Sequence, residues 1–408
     1  MTDDTIQVPV DSQMRDIGPG LTLVMAAACG LAVANIYYNQ PMLALMERSF
    51  PGQQSLVGFI PTATQLGYAL GLLLLVPLGD LVDRRRVILI QCGLLALWLA
   101  GAALAPGAWT LVAASALVGV TASVAQQILP FAAELSAPDR RGATIGTVMS
   151  GLLLGILLSR VMAGFVGEHF GWRAMFWLGL FLSLATAGLL AAKLPHSRPS
   201  SRLGYPALLR SLATLWRREP PLRRATQLQA CVFGSFSAVW TILALRLARD
   251  YHLSATVAGA FGFVGAAGVL FAPLAGRIAD RRGQQFVVGM TALVMVASWA
   301  ILGICSSMVG MVAGVILLDF GAQGAQVSNQ HVIHGLAPQM RNRLNAILMG
   351  GMFIGGAIGS TGASIAWKMG GWSVLCGFGA VLALVGFVVH LLGQNANPVK
   401  HARKGATG

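Results

Sequence analysis

Runs of about 20 apolar residues recur along almost the whole chain, cut by short breaks that carry Gly, Pro or Arg. Each run is long enough to cross the hydrocarbon core of a bilayer as a helix. The pattern predicts twelve spans, at 20–44, 56–78, 87–105, 109–131, 143–166, 172–192, 225–247, 255–275, 285–305, 308–332, 343–366 and 371–393. They divide six and six around the longest break. The predicted class is therefore an all-α membrane protein with two six-helix bundles, residues 20–192 and 225–393. A basic linker, 193–224, joins the bundles, and tails 1–19 and 394–408 flank them.

Composition agrees with that pattern. Of 408 residues 56% are hydrophobic and 10% charged, with a mean hydropathy of +0.71, whereas a soluble domain carries about a quarter charged residues. Residues 1–19 hold Asp3, Asp4, Asp11 and Asp16 against a single Arg15, which is no basic start for a secretory signal peptide. A net charge of +14 would point to nucleic acid in a soluble protein, but here the placement of the charge matters more. With the N-terminus inside, 22 of the 28 Lys and Arg fall on the cytoplasmic side and five (Arg48, Arg173, Arg246, Arg249, Lys368) on the other. Basic loops stay in the cytoplasm, so both termini are expected there and no nucleic-acid partner is implied. The linker charges are expected to lie at lipid headgroups. Cys29, Cys92, Cys231, Cys305 and Cys376 are odd in number, lack paired spacing and all fall in spans, and read as small packing residues rather than disulfides or metal ligands.

Internal repetition is the stronger signal. Ala125, Gln126, Ala137, Pro138, Arg141, Gly151, Gly155 and Trp172 recur 200 residues later as Ala325, Gln326, Ala337, Pro338, Arg341, Gly351, Gly355 and Trp372. The turn after the second span, Gly79 to Arg85 with Asp83 and Arg84, recurs as Gly276 to Arg282 with Asp280 and Arg281. The halves are same-orientation duplicates. In such repeats a substrate site lies near the bilayer midplane between the halves, and rocking about it gives alternating access.

Six plus six helices, a long basic middle segment and two copies of Gly-x-x-x-Asp-Arg-x resemble the major facilitator superfamily, over roughly residues 20–393. The resemblance implies that Gly79, Asp83, Arg84, Gly276, Asp280 and Arg281 form a conformational latch, the carboxylates reaching helix N-termini across the bundle. Alternatively, these turns only shape loops and orient the chain. Family members usually carry Gly after Asp-Arg-x; Gly283 keeps it, but Arg86 stands there in the first copy. Many drug exporters of the superfamily have an Arg in the fourth helix and a Gly-Pro pair followed by Gly-Gly in the fifth. Residues 109–131 carry no charge, and the fifth span has Ile156 for the Pro and Ser159-Arg160 for the Gly pair. Ala34 to Pro41, Ser159-Arg160 and Gly171-Trp172-Arg173 are similar to a bacterial branch of efflux transporters in the same superfamily. Monomer and small-molecule substrate are the family expectations.

Charge buried in hydrocarbon costs several kcal/mol unless paired or hydrated, so intramembrane ions are functional candidates. Arg160 and Asp319 are the two. Arg160 lies 19 residues beyond Arg141 and Asp319 lies 19 before Pro338, the repeat mate of Pro138, so each sits about 28 Å along its helix from the cytoplasmic end. In the superfamily arrangement the fifth and tenth helices meet, which implies an Arg160–Asp319 ion pair. Protonation of Asp319, or an anion taking Arg160, would open it; a static pair that fixes helix register is the alternative.

Polar periodicity adds a lined cavity. Asp319, Gln323, Gln326 and Gln330 follow i, i+4, i+7, i+11 on the tenth span, and Ser123 and Gln126 are the repeat mates of two of them. Asn35, Tyr38 and Asn39 share a face on the first span, Gln65 and Tyr68 on the second, and Trp240 on the seventh adds aromatic surface. For each single residue, bonding between helices is the competing reading. Gly151/Gly155 and Gly351/Gly355/Gly359 are expected to let helices approach closely at the interface between halves. His331 and His334 lack a third ligand for a metal, and no Gly-Lys-Ser/Thr phosphate loop is present. No enzyme and no cofactor are expected. The expected function is proton-coupled export of small amphipathic organic compounds from a bacterial inner membrane, with direction, coupling ion and substrate resting on the resemblance. An importer or facilitator of a sugar or organic anion, a channel and a non-transporting sensor are the rivals.

Overall fold

A computed structural model describes residues 17–197, 199, 204–269, 277–279, 281–336 and 340–395. Among them every regular element is helical. α1 (Pro19–Ala34) and α2 (Asn39–Ser49) make the first crossing, the one-turn α3 (Gln54–Val57) leads into α4 (Ile60–Leu74), and α5 (Arg84–Ala103) returns. α6 (Ala108–Ala122) and α7 (Ala125–Leu135) form the fourth crossing, α8 (Arg141–Phe170) and α9 (Trp172–Lys193) the fifth and sixth. After α10 (Tyr205–Arg218) come α11 (Pro220–Asp250), α12 (Ala255–Val269), α13 (Gln284–Ile304) and α14 (Met308–His334). The last helix, α15 (Arg341–Asn395), is turned at Gly370–Gly371 into the eleventh and twelfth crossings. The chain is a multi-pass membrane protein: among the described residues ten helices are long and apolar enough to cross a bilayer, the last of them turned at Gly370–Gly371, and α12 is a shorter apolar helix.

Local sequence explains the ends and breaks. Pro19, Pro61 and Pro220 sit in first turns, where a missing N–H costs nothing. Gly171 and Gly371, 200 residues apart, both take left-handed φ (83° and 64°), which only glycine adopts without strain, and each is followed by a tryptophan whose Nε1 is bonded: Trp172 to Ser49 Oγ at 2.9 Å and Trp372 to Leu302 O at 2.7 Å. The duplication read from the sequence is thus repeated in local structure.

Two spans are less regular than the hydropathy pattern suggests. The first continues to Ser49 and is interrupted at Asn35–Tyr38, where Ile36 N bonds Val33 O and Tyr37 N bonds Ala34 O. These tight i→i−3 bonds rotate the side chains that follow relative to an unbroken α-helix. The fourth span is broken likewise at Ser123–Val124. Nor is the linker uniformly a loop. α10 lays Leu209, Leu212 and Leu215 against the cluster of Leu222, Ile333, Leu344 and Leu348, leaves Arg210, Arg217 and Arg218 exposed, and Tyr205 donates to Leu74 O at 2.9 Å. It therefore rests on the second half while touching the first.

The glycine rows pack differently from expectation. A Cβ at Gly155 would strike the backbone of Gly30, and its repeat mate Gly355 the backbone of Ala230; Gly359 sits against Gly234. These contacts press α8 onto α1 and α15 onto α11, inside each half rather than between halves. Small residues are needed there because the backbones themselves touch. The halves meet instead where α8 packs on α12, α4 on α15 and α2 on α11. Gly164 against Ala255 and Gly259 gives the first of these seams its close approach.

Candidate functional site

Arg160 is 4% exposed and Asp319 3%, deep within α8 and α14. No ion pair joins them. α12 packs against both α8 and α14, with Gly259 and Gly262 facing Arg160 and Gly265 and Gly268 facing Asp319. The expectation that the fifth and tenth crossings meet directly is corrected by this intervening eighth crossing. The two charges communicate through Trp240, which is 2% exposed. The Arg160 guanidinium carbon lies 3.7 Å from the centre of the Trp240 ring and 4.9 Å from that of Tyr37, and Arg160 Nε donates to Gln40 Oε1 at 3.2 Å. The indole in turn faces Asp319. A desolvated cation over a tryptophan face gains about 2 kcal/mol, far less than the cost of burying an ion alone. Arg160 Nη2 is buried without a hydrogen-bond partner, while the Trp240 indole is turned toward the Asp319 carboxylate. Three polar groups on three helices thus meet at one place.

The remaining cavity residues divide. Asn35 and Tyr38 turn into the first bundle against Gly179 of α9, Asn35 Nδ2 donating to Leu31 O at 2.7 Å. Asn39 Nδ2 donates to Thr64 Oγ1 at 3.0 Å. Ser123 is fully buried, bonded to Val120 O and Gln91. These four join helices within one half and do not line a space between halves. For the first three the cause is the rotated turn at Asn35–Tyr38, which brings Tyr37 and Gln40 to Arg160 instead. A stronger weighting of Tyr37 and Gln40, at i and i+3, would have found them. On α14, Gln323, Gln326 and Gln330 are half-buried, Gln330 Nε2 lying 3.9 Å from Met349 Sδ, and Gln126 faces the Tyr68 hydroxyl.

Gln65 does cross between halves. Its Nε2 donates to Ser360 Oγ at 2.9 Å and its Oε1 accepts from Ser237 at 3.4 Å. On the same helix Thr62 and Thr361 hydroxyls lie 3.1 Å apart, Ser364 Oγ donates to Gly58 O at 2.9 Å, and Tyr68 packs on Phe353 with centroids 4.4 Å apart. This polar seam closes α4 on α15 toward the face away from the chain termini. Removing one member leaves buried partners unsatisfied at about 1–3 kcal/mol. Gln65→Leu is therefore expected to raise the labelling rate of a cysteine placed at Thr62 by an impermeant maleimide roughly five- to thirtyfold.

The latch residues also require correction. Asp83 caps its own helix, accepting from Arg85 N at 3.1 Å, and binds the start of the linker through His196 Nδ1 at 2.6 Å and Ser197 N at 3.0 Å. Arg84 is held by Asp80 at 2.9 Å and Glu134 at 3.6 Å. Gly79 leaves room for Gln127, whose Nε2 donates to Leu75 O at 2.7 Å. Every one of these bonds stays in the first half or reaches the start of the linker, and none crosses to the second half. Gly276 and Asp280 lie outside the described residues, and Arg281 is exposed. Gly283 has φ 86° before α13, whereas α5 begins directly at Arg84, so Arg86 occupies an ordinary helical position and no glycine is needed. Partial burial works to raise the Asp83 pKa, but the bonds from Ser197, His196 and Arg85 outweigh it and hold the carboxyl at about 2. A depressed carboxyl stabilises fully above the usual carboxylate range and loses that contribution as pH falls toward 2. Asp83→Ala is expected to cost about 1 kcal/mol and to speed proteolysis at Lys193, read by limited digestion at neutral pH.

The Major Facilitator Superfamily model matches residues 25–226 and 226–407. The uncharacterized transporter YgaY of Escherichia coli K12 is 41% identical over 377 residues, covering 92% of this chain and 96% of its own. The Streptomyces coelicolor transporter SCO4007 is 34% identical over 392 residues, covering 94% and 88%. Among solved structures, the nucleoside transporter NupG superimposes with a TM-score of 0.72 at 12% identity, covering 91% of this chain and 98% of NupG. The partially occluded, inward-open xylose transporter XylE from E. coli gives 0.68 at 17%, covering 92% and 97%. These two structures bear on the fold alone.

Proposed function

The chain belongs to the major facilitator superfamily and is a secondary transporter of a small molecule, not an enzyme; from that premise we propose that it exports small amphipathic organic compounds in exchange for protons. It would do so as a monomer in a bacterial inner membrane with both termini cytoplasmic, as the 22-to-five division of basic residues supports. One observation carries the reading. A buried carboxylate and a buried guanidinium sit on opposite halves, separated by one indole that faces both.

Asp319 charged attracts Arg160 through a medium of low dielectric, and Asp319 protonated does not. Proton uptake would therefore weaken the hold of α14 on α8 across Trp240 and favour the rearrangement of the halves. A substrate with an apolar body and a hydrogen-bonding group can stack against Trp240 and bond Arg160 or Asp319 in place of their mutual attraction. Binding of proton and substrate at one place provides the competition an exchanger needs. Gln323 and Gln326, half-buried on the same helix as Asp319, supply further hydrogen-bonding positions.

The test is accumulation of a chemically diverse compound panel in cells carrying the transporter or an empty vector, with and without a protonophore. Lower accumulation with the transporter, abolished by the protonophore, is the expected result. Higher accumulation makes the protein an importer, and lower accumulation indifferent to the protonophore removes the proton from the scheme.

A further inference from the structure

The seam between α8 and α12 ends in a contact that the Arg160–Asp319 region does not use. Arg160, Gly164 and Glu168 recur at four-residue steps and so share one face of α8. Opposite them on α12, Gly262 faces Arg160, Gly259 lies against Gly164, and a Cβ at Gly164 would strike the carbonyl of Ala255. The two backbones touch along this row, which brings the helices close but leaves no side chains to interlock. A polar contact follows one turn further out. Glu168 Oε2 accepts from Thr256 N, in the first turn of α12, at 2.8 Å, and the Ser254 hydroxyl faces the same carboxylate.

Glu168 is misplaced for its own helix. It lies in the last turn of α8, where the carbonyl end of the helix dipole repels a carboxylate. For α12 it is well placed, because a carboxylate at a helix N-terminus satisfies an otherwise orphaned N–H and meets the positive end of the dipole. An unfavourable local choice is thus offset across the halves, which ties the residue to the contact between them rather than to α8. A second acid repeats the arrangement. Glu47, in the last turn of α2, lies within electrostatic reach of Lys368, just before the turn at Gly370–Gly371. Both acids belong to the first half and both partners to the second. Both contacts lie on the face away from the chain termini, where the Gln65 seam also closes.

We propose that Glu168 is the clasp of a gate on this face: its bond to Thr256 N holds α8 on α12 and keeps the face closed over Arg160 and Asp319. The proposal goes beyond the exporter reading, since a gate of this kind serves transport in either direction and with any coupling ion. The test is the rate at which an impermeant maleimide labels reporter cysteines in the purified full-length protein in nanodiscs, where both faces meet the reagent. All variants carry Cys305→Ser, because Cys305 is exposed. One reporter, Thr62→Cys, lies on the α4–α15 seam of the gated face, on helices other than α8 and α12. The other, Ala346→Cys, is at a position 3% exposed that shares a small cleft with Val76 and Pro77 at the opposite face. Glu168→Ala is expected to speed labelling at the Thr62 position about fivefold, the effect of losing a helix cap. Labelling at the Ala346 position should stay the same or slow, because opening one face closes the other. Glu168→Gln keeps an oxygen for Thr256 N and should raise the Thr62 rate less. No rise at Thr62 in Glu168→Ala, an equal rise in Glu168→Gln, or a rise at both reporters, which marks general loosening, overturns the proposal. Failure of every compound in a transport panel leaves these rates as they are, so the gate and the exporter reading fail separately.

Discussion

Asp319→Asn is expected to lower proton-driven uphill transport more than tenfold in proteoliposomes while leaving energy-independent substrate exchange within about twofold. Asparagine has nearly the shape of aspartate and can still face Trp240, so packing around Gly265 and Gly268 should survive. What it removes is the ability to alternate between charged and neutral. Fixed neutral, α14 has no charge with which to attract Arg160, and a proton gradient then has no group in this region to act upon. Equal loss of both activities would mean that Asp319 binds substrate instead of coupling it. Retention of both would remove Asp319 from the mechanism. The same logic makes Trp240→Leu informative, because it deletes the surface on which Arg160 rests without changing any charge.

The second large effect lies far from chemistry. A Cβ at Gly359 would overlap the carbonyl of Gly234, and flexible side chains are not what it meets. Gly359→Val must therefore force α15 away from α11, the most extensively packed pair in the second half. Overpacking of a core costs about 1–3 kcal/mol and more where backbone must shift. The expected result is little or no monodisperse protein on size-exclusion chromatography. Gly377→Ala is the control, since a Cβ there meets nothing within 4 Å and alanine is favoured over glycine in a helix by roughly 1 kcal/mol. It should leave yield unchanged or improve it. If Gly359→Val behaves like Gly377→Ala, the tight α11–α15 contact is not present in the membrane.

Hydropathy marks the apolar helices of a multi-pass protein because the cost of exposing backbone and charge to lipid acts on every residue of a span. It reads their ends less well: the first crossing runs on to Ser49, and α10 forms inside the connector, since an amphipathic helix that lies on a bundle needs only Leu212 with Leu209, Leu215 and a few neighbours. The two buried charges were legible for the same reason as the spans, as rare residues in the wrong solvent. Their relation was not. That α12 and Trp240 stand between them depends on how helices distant in sequence cross, and no spacing along α8 or α14 encodes it.

The polar face of the first crossing illustrates the limit from the other side. Helical periodicity grouped Asn35, Tyr38 and Asn39, and an unbroken helix would have presented them together. Two i→i−3 hydrogen bonds rotate the chain, so Asn35 and Tyr38 pack inside the bundle and Gln40 reaches Arg160. By itself the sequence determined the membrane class, the duplication and the two intramembrane ions, because each follows from composition or repetition along the chain, and its motifs carried the resemblance to the family. Only the tertiary structure decided which polar residues face across the halves, that the Asp83 turn binds its own helix and the start of the linker, and that the Gly155 and Gly355 rows seal each half internally. Those outcomes depend on the angle and register at which helices meet, and these are fixed by contacts between residues far apart in the chain.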